Sequence, residues 1–482
     1  MKKAKILTGL ACALLVSCQS VEPEIHMPGE VDISDVVEAI TVHQITRDVN
    51  SVEVDNILAR LFDTGKKSRS ADYTVSVLKD KAGEDRMICI NYADNKGFAL
   101  ISADKTHQPV LAYAEEGNFT DTDNLPFPLN EWFTGAMEDI AESKSLPADS
   151  LQKIAAEWRC YEAATVPSLK RTDRSRFQNL TWDEYMELSR IMMDQINIWN
   201  SQGYRVYALN DYQGTISLGD KNGIGSYVYN HIYPYYMEDY ADLTIVIEKE
   251  WGAKYGTGHC FKTQWDQYSG FNQSFDATTD NPTGHIPVGC GPVAVGQVMY
   301  YFQYPQFFNW GAMVTGNVGN KVTSDFLLDV YHKCNAKYTK DKNGNMGTGC
   351  TEEERVKALK SYGYSCQTVS KVDDSILLYY SPAIIKSSLV NAKGQESSHA
   401  WVVEGAILRE SYIETQVWTF NYERAFSCIH KEDTLISSST LSFANWGWGG
   451  KYDAYYGLKL MKPEIYSGNK IESAIINIKP NR

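Results

Sequence analysis

One segment restricts the fold of this chain more than any other: a glycine–cysteine step that opens a short apolar helix. Residues 289–301 read GCGPVAVGQVMYY. Pro292 stands where proline is preferred, in the first turn of a helix, and the pattern ends at Tyr304-Pro305. Cys290 is therefore predicted at a helix N-terminus, where partial positive charge and free N–H groups favour a thiolate. The alternative is an inert buried cysteine.

Length and charge exclude several classes of protein. The chain has 482 residues, which predicts two or three domains, and its 43% hydrophobic and 12% aromatic content argues against disorder. The net charge is −14, and no basic cluster that could follow a phosphate backbone is present. Nucleic acid is therefore excluded as an expected partner.

The first residues read as a targeting signal. Three lysines precede the apolar run from Ile6 to Val16, which is too short to span a bilayer. A small residue directly before Cys18 resembles a bacterial lipoprotein signal, so we expect a signal peptide over 1–17, acylation of Cys18 and a tether over 18–45. The alternative is an ordinary secretory signal. Membrane contact is then expected only through the lipid anchor, either on the bacterial cell envelope (outer membrane or cell surface) or with secretion after processing.

Ten cysteines are present, and none has C-x-x-C spacing, so the sequence supports neither a zinc ribbon nor a thioredoxin motif. Apart from Cys12, Cys18 and Cys290, seven remain, and at least one of these must be unpaired. The sequence predicts no metal and no organic cofactor.

The segment over 46–180 is predicted to be a small α+β domain, because helical spacing and strand alternation occur in it in turn. Helices are expected over 47–62, 132–143 and 149–160, and strands over 73–78, 88–92, 97–102 and 110–114, with a turn over 94–97. The basic residues between 168 and 178 mark a cleavage region. A helix is expected over 183–200, within a linker or insert of uncertain role over 181–245, and a second domain over 246–482.

The second candidate residue is His399. It follows a polar loop over 391–398 and opens the apolar run AWVV, which places the imidazole at the mouth of a strand. A single histidine of this kind is usually structural. Its importance comes from combination with Cys290, because a base next to a thiol creates an activated nucleophile.

Two more motifs complete the constellation. Residues 444–450 read ANWGWGG, a rigid turn in which Asn445 could orient the imidazole while the indole of Trp446 shields that bond from water. Upstream, the side-chain amide of Gln267 could join the Cys290 backbone N–H as an oxyanion hole, with Gln264 as a competing candidate.

The order Gln, Cys, His, Asn is that of papain-like enzymes. The motifs WDQ…N over 265–272, GC opening a helix over 289–305, HA…EGA over 399–406 and NWGWGG over 445–450 resemble the streptopain family of cysteine peptidases. Residues 97–113 resemble the inhibitory propeptide of that family, and residues 346–351 its Gly-rich loop. The chain departs from the family at Gly291-Pro292, where a valine–alanine pair is more usual, and at Ser397-Ser398, which replaces a glycine pair.

The resemblance implies an α+β fold: a papain-like domain with a helical half carrying Cys290 and a β-barrel-like half carrying His399, preceded by the propeptide as a separate unit over the cleft. It implies a cysteine endopeptidase made as a zymogen, in which a Cys290–His399 dyad hydrolyses protein or peptide substrates, Gln267 lies in the oxyanion hole, and Asn445 and Trp446 support them. Its own propeptide would be its inhibitor. Two rival readings are a non-catalytic, lipid-anchored binding protein on this scaffold and a cell-wall peptide hydrolase.

Overall fold

A computed structural model describes most of the chain from residue 43 onward. The described residues are 43–62, 72–159, 161, 182–208, 244–281, 283–340, 346–370, 372, 374–380, 382–390, 396–420, 426–457 and 469–481. The predicted signal peptide, Cys18, the basic segment over 168–178 and residues 209–243 of the predicted insert lie outside these residues.

The helices form where the sequence shows helical spacing of apolar residues. They are α1 (Ser51–Leu61), α2 (Leu129–Glu142), α3 (Ala148–Arg159), α4 (Trp182–Ser201), α5 (Cys290–Phe302), α6 (Lys321–Lys333), α7 (Glu352–Ser361) and α8 (Asp374–Tyr380). Helix α1 illustrates the local cause: the Asn50 side chain accepts bonds from the first-turn N–H groups, and the Glu53 carboxylate accepts one from the Asn50 backbone N–H. The helices predicted over 47–62, 132–143, 149–160 and 183–200 are confirmed, and their ends differ from the prediction by a few residues at most.

The strands of the N-terminal segment also lie where alternation predicted them. The strands are β1 (Tyr73–Lys79), β2 (Asp85–Tyr92), β3 (Phe98–Ser102), β4 (Val110–Ala114), β5 (Arg205–Ala208), β6 (Thr244–Gly256), β7 (Lys337–Lys340), β8 (Met346–Gly349), β9 (Tyr364–Val369), β10 (Ala383–Val390), β11 (Glu396–Phe420), β12 (Phe426–Asn445), β13 (Ala454–Tyr456) and β14 (Asn469–Pro480). Of the expected Gly-rich loop over 346–351, residues 346–349 form strand β8, which pairs with β7. Strand β5, in the stretch of uncertain role, pairs with β6.

Twelve of these strands form one antiparallel sheet. Its main order is β1-β2-β3-β4-β13-β12-β11-β10-β14-β9, and β5 and β6 extend it along the second half of β11. Strands β4 and β13 join through the pairs Tyr113–Tyr455 and Ala112–Tyr456. The expectation that the propeptide-like segment forms a separate sheet is therefore wrong: its strands continue the sheet that carries His399. The predicted α+β class is confirmed.

Two hydrophobic cores flank this sheet near the candidate site. The first, here called the shared core, combines residues of the N-terminal segment, such as Phe119 and Trp132, with Trp446 and Tyr456. The second, here called the helical core, surrounds α5, and its buried members among the described residues lie between positions 261 and 478. Burial on this scale supplies most of the stability of a fold. Within the described ranges, no helix is both long and apolar enough to cross a membrane.

Candidate active site

Cys290 is the first residue of α5, and the backbone before it requires glycine. Gly289, the N-cap residue, has φ of 93°, and a Cβ there would lie 2.6 Å from Cγ2 of Thr348. The Thr348 hydroxyl in turn donates a hydrogen bond to the Pro287 carbonyl at 2.6 Å. Strand β8 therefore holds the start of the helix, and the predicted position of Cys290 at a helix N-terminus is confirmed.

His399 lies on β11, opposite Ser387 of β10, and its side chain reaches the start of α5. It is the fourth residue of the strand and not its first, since β11 begins at Glu396. The imidazole is 7% exposed, and its Nε2–H donates to the Trp446 carbonyl at 2.8 Å. Because that contact occupies Nε2, Nδ1 is the ring nitrogen left for Cys290.

The Cys290 sulfur hydrogen-bonds the His399 side chain and accepts a second bond from the Ala400 N–H. Burial by itself would raise the pKa of this thiol. The hydrogen bond and charge of His399, the Ala400 N–H and the charge of Arg355 outweigh burial and lower the pKa to about 7. A substantial fraction of Cys290 is therefore thiolate at neutral pH, which is the nucleophilic form.

Asn445 is buried beside these residues but does not contact the imidazole. Its side-chain N–H₂ donates to the Thr263 carbonyl at 3.0 Å and to the Glu404 carboxylate at 2.7 Å. Its oxygen accepts from the Gln297 amide and the Gly447 N–H, both at 3.1 Å. The expected bond from Asn445 to the imidazole is replaced by the Trp446 carbonyl, so Asn445 acts on His399 only through the backbone of the turn.

The indole facing the imidazole belongs to Trp448, with ring centroids 5.1 Å apart. Trp446 stacks behind it at 5.3 Å and donates its indole N–H to the Tyr452 carbonyl. The indole that covers the imidazole is therefore that of Trp448, and not that of Trp446 as expected. Trp446 instead provides the backbone carbonyl that accepts from His399. Adjacent glycines with positive φ allow the turn to bring both groups to one side.

Gln267 lies on the segment that leads to Cys290. Its carbonyl accepts from the Val288 N–H at 3.1 Å, and within the described chain its partly exposed side-chain amide makes no hydrogen bond. An unengaged amide donor is what an oxyanion hole requires. Gln264, the competing candidate, instead packs its side chain against Gly450, where a Cβ would lie 2.9 Å from Cδ of Gln264.

Sequence reasoning gave no role to Glu404 or Arg355. The Glu404 carboxylate is fully buried, accepts from Asn445 and the Phe261 N–H, and contacts the His259 ring at 2.5 Å. A charged residue inside the apolar run of β11 was a signal that could have identified it. Arg355 gave no such signal, because it lies in the highly charged helix α7. Within the described residues, no group of three or more His, Cys, Asp or Glu side chains could hold a metal ion.

The chain matches the Peptidase C10 family over residues 265–332. That stretch includes Gln267 and the whole of α5. Residues 57–140 match a second family, described as Spi protease inhibitor. The two matches support the resemblance to a peptidase of the streptopain type that is preceded by its inhibitor. Residues 57–140 are called the inhibitor segment below.

Among solved structures, the chain is similar to a mutant prointerpain A fragment from Prevotella intermedia. The identity is 17%, the TM-score is 0.41, and the similarity covers 84% of this chain and 98% of that one. No curated protein sequence matches the chain. Taken together, the sequence-family matches support a cysteine-type peptidase in zymogen form, whose substrates are proteins and whose inhibitor is its own N-terminal segment.

Proposed function

We propose that this chain is a cysteine endopeptidase in which Cys290 is the nucleophile and His399 the general base. The observation that carries the proposal is the environment of the Cys290 thiol: it starts a helix, bonds His399 and has its pKa lowered to about 7. By contrast, burial raises the pKa of Cys89 to about 11 and that of Cys260 to about 12. A depressed thiol pKa beside a base in a cleft is characteristic of a catalytic cysteine.

The proposed reaction is acyl transfer through a thioester. The Cys290 thiolate attacks the carbonyl carbon of a peptide bond, and the resulting oxyanion accepts bonds from the Cys290 N–H and the Gln267 amide. The His399 imidazolium then gives its proton to the departing amine as the C–N bond breaks. Water, deprotonated by His399, attacks the thioester, and the carboxylic acid leaves as the thiol is restored.

The inhibitor segment is proposed to keep the enzyme latent by binding the turn that positions His399. The Tyr452 hydroxyl donates to the Thr120 carbonyl at 2.9 Å, and the Trp132 indole donates to the Gly457 carbonyl at 3.2 Å. These contacts bind the chain on either side of β13 to the inhibitor segment. Activation is then cleavage in the basic region over 168–178. N-terminal sequencing of the mature enzyme tests this, and a mature N-terminus outside that region would contradict it.

The direct test of the dyad uses Cys290→Ala and His399→Ala. Because the two groups act as a unit, each substitution is expected to reduce casein hydrolysis by at least about 10⁴-fold and to leave a folded, uncleaved precursor. Iodoacetamide should label Cys290 before Cys260 or Cys428, and at lower pH. Undiminished cleavage by Cys290→Ala, or earlier labelling of Cys260 or Cys428, would disprove the assignment.

The same assay separates the rival functions. The purified mature form is incubated under reducing conditions with casein and, separately, with cell walls. Casein cleavage supports the endopeptidase, wall lysis alone supports a cell-wall peptide hydrolase, and neither activity supports a binding protein.

Lipid anchoring at Cys18 is a separate part of the proposal and rests on Leu15-Val16-Ser17-Cys18. Cys18→Ser is expected to move the protein from the membrane fraction to the soluble fraction, since the acyl chains would be lost. An unchanged distribution would leave an ordinary secretory signal as the better interpretation.

A further inference from the structure

Two cysteines that the proposed reaction does not use lie beneath the start of α5. Cys334 ends helix α6 and is fully buried, and Cys350 stands between β8 and α7. The β7–β8 ladder ends with Lys337 opposite Gly349, so strand pairing brings the flanking cysteines together. The two side chains lie close enough that each shifts the pKa of the other.

Cys350 also touches the helix of the nucleophile. A Cβ at position 291 would lie 2.5 Å from Sγ of Cys350, closer than real side chains approach one another. Glycine is therefore required directly after Cys290 while Cys350 occupies this place. This contact explains one departure of the sequence from the streptopain pattern, the glycine at 291.

A buried guanidinium completes the cluster. Arg355 is 3% exposed, its Nη1 donates to the Cys350 carbonyl at 3.2 Å, and the same nitrogen lies 4.0 Å from the Cys350 sulfur. Its Nε and Nη2 have no hydrogen-bond partner in the described part of the chain. A buried cation needs a compensating negative charge, and a thiolate at Cys350 supplies one.

The electrostatics distinguish the two thiols. The hydrogen bond from Cys334 lowers the pKa of Cys350, and the Arg355 charge adds to this against the opposing effect of burial. The same hydrogen bond, together with burial, raises the pKa of Cys334. A thiol whose pKa is lowered, beside a buried thiol whose pKa is raised, is the arrangement of a dithiol that undergoes exchange.

We propose that Cys334 and Cys350 form a site of reversible disulfide formation, with Cys350 as the attacking thiol and a small-molecule disulfide as the oxidant. The Cys350 thiolate attacks one sulfur of the oxidant and releases one thiolate. Cys334 then loses its proton and attacks the Cys350 sulfur of the mixed disulfide, which releases the second thiolate. Two protein thiols are oxidised while one disulfide is reduced to two thiols. The resulting link joins the end of α6 to the start of α7 beneath Cys290.

The test uses the full chain carrying Cys290→Ala, so that the candidate nucleophile cannot take part, with glutathione disulfide as the probe. After incubation of the folded protein, free thiols are blocked and the chain is digested with trypsin without reduction. The expected product is peptide 334–337 linked to peptide 343–355, and it should disappear on reduction. Because Cys290 is absent, the result does not depend on the proposed peptidase activity.

Single substitutions identify the attacking residue. In Cys334→Ser, Cys350 should remain as a stable mixed disulfide with glutathione, whereas in Cys350→Ser the buried Cys334 should remain unmodified. Cys366→Ser is the matched control, because Cys366 also packs against the helical core, and it should leave the linked peptide unchanged. The proposal is overturned if folded protein yields no linked peptide at saturating glutathione disulfide, or if Cys334 reacts when Cys350 is absent.

Discussion

Cys290 and His399 touch one another, yet the residues that support them belong to different cores. The helix carrying Cys290 packs in the helical core, whose buried members all lie between positions 261 and 478. The turn that supplies the hydrogen-bond acceptor of His399 packs in the shared core, together with Phe119, Trp132 and other residues of the inhibitor segment. Removal of the inhibitor segment is therefore expected to uncover the His399 side and to leave the packing around Cys290 intact.

This difference teaches where latency can be controlled. The proposed nucleophile packs within the peptidase part, while the orientation of the proposed base depends on a turn that the inhibitor segment contacts from the other side. Rings from the two segments meet directly: Trp132 and Tyr456 have centroids 4.8 Å apart, and Phe119 and Tyr452 5.6 Å. Each prediction below tests one consequence of the contrast, beginning with the largest effect.

Trp132→Ala and Phe326→Ala compare the two cores directly. Both side chains are buried, at 0% and 2% exposure, and each truncation should lower the free energy of unfolding by about 3–5 kcal/mol. Only Trp132→Ala should increase casein cleavage by the uncleaved precursor, because only that residue binds the inhibitor segment to the turn. Equal activation by both variants would mean that latency depends on overall stability, and it would contradict the proposed difference between the shared core and the helical core.

Gln267→Ala changes the Cys290 side without touching the shared core. Loss of one oxyanion donor is expected to reduce kcat by about 10²–10³-fold, or roughly 3 kcal/mol, with unchanged latency. Gln264→Ala is the matched control, and it should retain most activity because that side chain packs against Gly450. A larger loss in Gln264→Ala would transfer the oxyanion role to Gln264.

Asn445→Ala tests the residue that bridges the two sides. The substitution leaves buried partners at Thr263, Glu404 and Gln297 unsatisfied, which should cost about 1–3 kcal/mol of stability. Activity should also fall, because the Trp446 carbonyl that accepts from His399 shifts when Asn445 no longer holds the turn. Full activity in a destabilised Asn445→Ala variant would show that Asn445 stabilises the fold without positioning His399.

His259 provides the smallest effect, at the joint between the inhibitor segment and the peptidase. Burial would lower its pKa, but the Glu404 hydrogen bond and the charges of Glu404, Glu116 and Glu115 raise it above the usual 6.5. The associated stability is fully present below pH 6.5 and is lost as pH rises through the higher folded pKa. Urea unfolding of the full chain carrying Cys290→Ala should show this loss.

His259→Gln, in the same background, should remove that component of the pH dependence. Glu115 and Glu116 belong to the inhibitor segment. The double variant Glu115→Gln, Glu116→Gln should therefore reduce the pH dependence of stability that comes from His259, and the contribution of Glu404 should remain. If the free energy of unfolding of His259→Gln depends on pH as it does in the parent chain, His259 does not contribute to this pH dependence.

Local patterns determined much of the molecule. The alternation over 73–78 and 88–92 identified β1 and β2, and the small apolar residues after Pro292 identified α5, because each signal depends on neighbours within a turn or a pleat. The same local reasoning placed Cys290 at a helix N-terminus. The candidate residues Gln267, Cys290 and His399 were also found from sequence, since each stands in a short, recognisable motif.

Tertiary structure alone decided which atoms meet. The sequence favoured the Asn445 side chain as the partner of the imidazole, but the folded turn offers the Trp446 carbonyl, and the indole over His399 is that of Trp448. Tertiary structure also joined β4 to β13, so that an inhibitor segment expected to be separate continues the peptidase sheet. Contacts of this kind link residues far apart in the chain and leave no periodicity within either segment. They are set by which surfaces pack together once the elements exist, and that choice belongs to the whole fold.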